Sequence, residues 1–238
     1  MLRACSLVFA LLIAGCQFAQ RRAMDLLEDR VQKLKPLSQW QPLWCDLEVK
    51  LTAPAVEHYK TMYPKEVETL SKPSWPFTWK AREANCEVTA LLSGEAVSTQ
   101  KGLLDTALCT LLQVHWVNSP FDELQVAPEQ VDLSDNQVRI KTSSNPELGI
   151  FLPTDQFVVE TKTKSRGNFR ASYSLVDQDW LPKRIEVKTE KTILALDEIE
   201  FSESRISGRR SIKSAWLELG EDTSLRQAQI NFGNCQPF

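Results

Sequence analysis

The chain has 238 residues, 42 % of them hydrophobic and 25 % charged, with 28 basic against 31 acidic side chains and a formal net charge of -3. That length permits one large domain or two small ones with a substantial core. So slight an acidic excess gives no global drive toward nucleic acid, and eight glycines leave little material for nucleotide-cradling loops.

The N-terminus carries the most specific pattern. Arg3 supplies a positive start, Cys5 to Ala14 is apolar except for Ser6, and the small residues Ala14 and Gly15 precede Cys16. Charge, apolar core and small residues in that order predict a secretory signal over residues 1–15. Its apolar run, about ten residues, is roughly half of what a helix needs to cross the bilayer core. Ile13-Ala14-Gly15-Cys16 resembles the lipobox of bacterial lipoproteins. The resemblance implies cleavage before Cys16, a diacylglycerol thioether on its sulfur and acylation, palmitate included, of the new amine. Each buried methylene contributes about 0.8 kcal/mol, so several chains on one residue hold firmly where one holds marginally. In diderm lipoproteins Asp after the cysteine favours the inner membrane. Gln17 stands there instead, which implies an outer-membrane anchor with the protein facing the periplasm.

Residues 16–22 form a short lipid-anchored tether, and residues 23–238 are read as a single α+β domain. The part over 23–117 is expected to be helical. Ala23 to Leu34 carries a stripe of Met24, Leu27, Val31 and Leu34, bounded by Pro36. Ala53 to Met62 and Lys65 to Ser71 are shorter helix candidates. Gly102 to Trp116 is the clearest core helix, with Leu103, Leu104, Ala107, Leu108, Leu111 and Leu112 on one wide face. From residue 118 the period changes to two. Candidate strands follow over 137–142, 148–152, 156–163, 168–176, 184–188, 191–201, 214–219 and 225–232, with tight turns between them. Successive short strands without βαβ alternation predict an antiparallel meander. The expected architecture is a curved antiparallel sheet, half-barrel-like, packed against N-terminal helices.

Cys45, Cys86, Cys109 and Cys235 remain after export, an even number in an oxidising compartment, so two disulfides are expected. Four cysteines allow three connectivities. The favoured one joins Cys45 to Cys86 and Cys109 to Cys235, stapling the front half and tying back the C-terminus. No catalytic pattern emerges. His115 lies six residues after Cys109, about 120° away around a helix, too far for a nucleophile–base pair. Asp132 to Asn136 lacks the Gly and the later Glu of a calcium loop. Neither a metal nor a cofactor is implied. Two binding candidates remain: the aromatic set Trp40, Trp44, Trp75, Phe77 and Trp79, more economically read as core, and the basic set Arg205, Arg209, Arg210 and Lys213, suited to anionic headgroups or simply solvated.

Asp177-Gln-Asp-Trp-Leu-Pro-Lys-Arg-Ile-Glu-Val187, a turn with Leu-Pro leading into an alternating strand, resembles the corresponding stretch of LolA/LolB-type lipoprotein carriers. The element order is similar as well. The resemblance implies a half-open barrel, capped by helices, with an apolar cavity for acyl chains. Alternation places Phe169, Ala171, Tyr173 and Leu175 with Ile185 and Val187 on one face of adjacent strands, the candidate ligand face.

The expected function is therefore that of a non-catalytic cell-envelope lipoprotein, attached to the membrane through Cys16 and binding an acyl or lipid ligand between sheet and helices. A structural or assembly subunit contacting another envelope protein is the alternative. An envelope hydrolase lacks its nucleophile–base pattern. Replacing Cys16 by Ala is expected to leave the precursor uncut or release the protein from the membrane. Metabolic labelling with an alkyne fatty acid tests this, since label retained on the variant contradicts attachment at Cys16.

Overall fold

The computed structural model describes residues 25, 43–81, 86–117, 131–134, 137–140, 148–151, 156–163, 167–176, 179–206, 209–221 and 223–237. Leu43–Leu51 forms β1, with Leu43, Cys45, Leu47 and Val49 buried and the charged residues between them turned outward. The next helix, α1 (Ala53–Met62), starts at Thr52, whose hydroxyl accepts from the Ala55 N–H and whose Pro54 follows in the first turn. Both features suit a helix start. A single turn, α2 (Val67–Leu70), leads to β2 (Trp75–Ala81) and β3 (Glu87–Ala90). A long helix then runs as α3 (Glu95–Leu104) and continues, with wider turns, as α4 (Asp105–Val117).

The remaining elements are all strands: β4 (Val131–Ser134), β5 (Gln137–Ile140), β6 (Leu148–Phe151), β7 (Gln156–Thr163), β8 (Gly167–Val176), β9 (Asp179–Lys188), β10 (Ile193–Ile206), β11 (Arg209–Gly220) and β12 (Leu225–Pro237). One twelve-stranded sheet, antiparallel at every pairing, has the order β3-β2-β1-β12-β11-β10-β9-β8-β7-β6-β5-β4. The fold is thus α+β: a curved, unclosed antiparallel sheet with helices. Strongly twisted sheets beyond about ten strands curl, and α3–α4 lies against the face so enclosed. It leaves β3, touches it again through α4, and reaches β9 and β10. Six strand spacings separate β3 from β9, about 29 Å at the usual interval, and helices of 10 and 13 residues in series span about 35 Å.

Three sequence expectations need correction. The segment 23–117 is not uniformly helical, because β1, β2 and β3 lie within it. Their alternation was obscured by Pro and Trp, and the core favours it: Trp75, Phe77 and Trp79 are buried while Pro76 and Lys80 face out. The favoured disulfide pairing is also overturned. Cys45 bonds Cys235 and Cys86 bonds Cys109. The first bond joins β1 to β12, neighbours in the sheet. The second staples the start of β3 to α4. The helix expected over Gly102–Trp116 begins earlier, at Glu95. That start is set by Gly94, at φ +144°, where a Cβ would press into the Glu66 carboxylate. Glu66 accepts from the Glu95 and Ala96 N–H groups, placing a negative charge at the positive helix end. The first expected helix, Ala23 to Leu34, lies outside the described residues apart from Asp25. The later expected strands occur, several of them longer, and β4 (Val131–Ser134) is a further strand that the alternation did not give.

The two disulfides should contribute unequally. They close 190 and 23 residues of separation. Loop entropy assigns about 5 kcal/mol to the first and about 3.5 kcal/mol to the second. Paired Ser replacements followed by denaturant melts are expected to preserve that order, and a larger loss from Cys86/Cys109 contradicts it.

Candidate functional site

The enclosed face of the sheet is a continuous apolar surface. From β8 it takes Ala171 and Tyr173, from β9 Ile185 and Val187, from β10 Leu194 and Leu196, and from β11 Ala215 and Leu217, all buried in one cluster. The pairing explains the set, because Ala171 stands opposite Ile185 and Leu196 opposite both Ile185 and Leu217. Helix residues Leu104, Ala107, Leu108, Leu111 and Leu112 belong to the same cluster. The structure thus brings together the candidate ligand-face residues Tyr173, Ile185 and Val187, with Phe169 partly buried beside them. The Leu175 side chain lies outside the described ones. Tyr173 is 2 % exposed, and burial pushes its hydroxyl pKa well above the ordinary tyrosine range.

The helix is fastened at its β3 end. Asp105 Oδ1 accepts from the Val88 N–H at 2.9 Å, and Asp105 also pairs with Lys101. An edge strand's outward N–H is thereby satisfied, which guards against pairing with another chain. An open cleft of about 420 Å³ lies there, lined by Cys86, Lys101, Asp105 and Cys109 among others. Cys109 is bonded to Cys86 and offers no thiolate, so it forms no nucleophile pair with His115.

Beneath α1 lies a second buried polar contact. The Tyr59 hydroxyl donates to Gln100 Oε1 at 2.9 Å, and the ring stacks on Trp75 at 6.2 Å. Burial and the neighbouring Tyr63 push the Tyr59 pKa up to about 12.

The opposite face of the sheet carries a charged cluster that sequence reading missed. Arg184 on β9 bonds Glu186 at 2.9 Å, Glu218 on β11 at 2.7 Å, Asp197 on β10 at 3.2 Å and the Ser224 hydroxyl at 3.1 Å. Ser224 donates to Glu218 at 2.7 Å. Arg226 reaches Glu198 and Glu218 and lies 4.7 Å from the Trp216 ring centre. Burial opposes the Arg184 charge, yet its hydrogen bonds to Glu186 and Glu218 and the charges of Glu218 and Asp197 outweigh it, so its proton is held more firmly than usual. A pocket of about 170 Å³ opens beside it, bounded by Arg170, Ser172 and Glu186. With its acceptors in place, this cluster pins three strands in register. Only cross-strand register reveals it, and register is not visible in a single chain.

Of the aromatic candidates, Trp75, Phe77 and Trp79 are core, Trp44 is half-buried, and Trp40 lies outside the described residues. Of the basic candidates, Lys213 pairs with Glu200 at 3.3 Å, and Arg205, Arg209 and Arg210 sit at the β10–β11 hairpin end. Among the described residues no helix is long and apolar enough to cross a membrane, and no group of three or more His, Cys, Asp or Glu is placed to hold a metal ion. Compared with known proteins, the chain matches no family model, no curated protein and no solved structure.

Tyr59 gives a measurable pH dependence. Between pH 10 and 12 the unfolded tyrosine has released its proton while the folded one retains it, so stability falls as pH rises through that window. Tyr59→Phe is expected to flatten this alkaline limb in melts recorded from pH 8 upward. At neutral pH it should cost about 1–3 kcal/mol, because the buried Gln100 carbonyl loses its donor. An unchanged alkaline slope contradicts the assignment.

Proposed function

We propose that the chain is a non-catalytic cell-envelope lipoprotein, anchored through Cys16 to the outer membrane and facing the periplasm, that accommodates an acyl-type ligand between sheet and helix. The observation that carries this reading is the arrangement of Phe169, Tyr173, Ile185 and Val187 on one apolar face of a curled, unclosed sheet, opposed by a single helix. The lipobox resemblance supplies the anchor, and the local likeness to LolA/LolB-type carriers points to the same ligand class. The fastening of the helix supports a route for entry. Cys109 and Asp105 bind it to the β3 side, whereas Leu111 and Leu112 beyond them are held by packing. An acyl chain takes the place of those two leucines against β9 and β10.

A second reading is favoured by a different observation. The described part of the enclosed face is filled, with Leu108, Leu111, Leu112 and Ile185 all 0 % exposed. A filled face suits a structural or assembly subunit that contacts another envelope protein through its outer surface.

Ligand uptake separates the two. The carrier reading expects the wild-type mature protein to bind a fluorescent fatty acid at micromolar concentrations. It also expects unlabelled acid to displace the probe and to raise the melting temperature, since a ligand at a hundredfold excess over Kd stabilises by about 2.7 kcal/mol. Absence of both signals removes the carrier reading and leaves the assembly subunit.

A further inference from the structure

The two disulfides differ in what surrounds their sulfurs. Cys45 is 0 % exposed and belongs to the apolar core cluster. A nucleophile does not reach it there. Attack on Cys235 would expel the Cys45 sulfur as a thiolate into apolar surroundings, which raise a thiol's pKa and make it a poor leaving group. Cys86 and Cys109 are both half-buried instead, and both line the open cleft of about 420 Å³ where β3 meets the helix. The second bond is the one open to a thiol.

The surroundings also give an exchange its direction. The Trp79 indole N–H donates to Cys86 Sγ at 3.2 Å. Trp79 stands opposite Cys45 on the β1–β2 ladder, yet its indole serves the other bond. A hydrogen bond to the charged form of a group favours that form. Cys86 is therefore the better leaving sulfur, and Cys109 is the one attacked. In the cleft, Lys101 pairs with Asp105 and offsets its charge, and Glu87 stands exposed at the same opening, where salt and solvent screen it.

We infer that Cys86–Cys109 is an exchange site for a dithiol reductant, with Cys86 as the leaving sulfur, and that opening it unlatches α4 from β3 while Cys45–Cys235 keeps the sheet whole. One thiolate of the reductant attacks Cys109 Sγ and forms a mixed disulfide. The Cys86–Cys109 bond breaks with its electron pair on Cys86, beside the Trp79 N–H. The second thiolate of the reductant then attacks its own sulfur in the mixed disulfide and expels Cys109. The dithiol ends as a disulfide, and the two cysteines take up the two electrons and two protons it gives up. Afterwards the Asp105 contact with the Val88 N–H remains at that end of the helix. The bond closes 23 residues against 190 for the other, so its opening relaxes the chain less. The site is independent of any ligand on the enclosed face.

Timed reduction tests this. The mature oxidised protein is treated with dithiothreitol without denaturant and quenched with N-ethylmaleimide, and its cysteines are read by peptide mass spectrometry. Cys86 and Cys109 are expected to be labelled about tenfold faster than Cys45 and Cys235. Equal rates, or earlier labelling of Cys45 and Cys235, overturn the inference. With the monothiol glutathione as reductant, its adduct is expected on Cys109 and the maleimide on Cys86, and the reverse distribution overturns the direction of exchange. Trp79→Phe keeps an aromatic ring in the core and removes the donor, so it is expected to slow the opening about fivefold. A loosened core alone would speed it, so faster opening in this variant overturns the role of Trp79. Hydrogen exchange reads the latch. After reduction the amides from Asp105 to Leu112 are expected to lose about tenfold in protection while those of β1 and β12 keep theirs. Unchanged protection of the helix overturns the unlatching.

Discussion

The pairing of β1 with β12 is the constraint on which the rest depends. It joins the first described strand to the last, and the Cys45–Cys235 bond fixes it across 190 residues of sequence. Without it there are two separate pieces, a three-stranded β1-β2-β3 sheet and a nine-stranded meander. With it, a single sheet is long enough to curl, and its two edges, β3 and β4, are the two ends of one crossover. The helix α3–α4 lies against the enclosed face as the chain leaves the β3 edge. Its apolar stripe and the alternating strand faces bury each other as a consequence of that path.

Legibility in the sequence followed the range of the interactions. The meander was readable because each of its strands pairs with its immediate neighbours in sequence, and alternation such as Phe169, Ala171, Tyr173 against Arg170, Ser172, Ser174 is local information. The core helix was readable for the same reason. β1 and β2 do alternate, Leu43, Cys45, Leu47 and Val49 in one and Trp75, Phe77 and Trp79 in the other. Prolines and tryptophans broke up the visual pattern, and the partners lie far off or across a helical insertion. The disulfide connectivity was unreadable because it expresses the β1–β12 pairing. Once β1 lies beside β12, Cys45 and Cys235 are neighbours. Once the helix returns past β3, Cys86 and Cys109 are too. At the candidate site, Tyr173, Ile185 and Val187 were foreseen by alternation. The Arg184 cluster was not, since four of its members come together only through the registers of β9, β10, β11 and β12.

The two faces of the sheet do different work. The enclosed face supplies apolar burial, which has no direction and does not distinguish slips of two residues along an alternating strand. The outer face supplies direction. Arg184 bridging Glu186, Asp197 and Glu218 is satisfied at one alignment of three strands, and a slip by one residue would turn each of these charges toward the apolar side. With Glu218 nearly buried, leaving it unpartnered would carry a large desolvation cost. The cluster also ends where the β9–β10 ladder ends, at Asp197 and the Glu198 bulge.

Whether the enclosed face can admit a ligand comes down to a comparison of buried surfaces. Lifting the end of α4 from β9 and β10 would expose Leu111 and Leu112, both fully buried. At about 1.5–3 kcal/mol for each aliphatic side chain, the cost is about 3–6 kcal/mol. An acyl chain returns about 0.8 kcal/mol for each methylene it buries, so about four to eight methylenes are needed to break even. Chains of ordinary membrane-lipid length exceed that number, whereas short fatty acids and small apolar metabolites fall below it. A face that is closed when empty is therefore compatible with the proposed binding of long acyl chains and would select against short ones. The two bonds at the β3 end, Cys86–Cys109 and Asp105 to Val88, would keep such an exchange local, because they hold the rest of the helix.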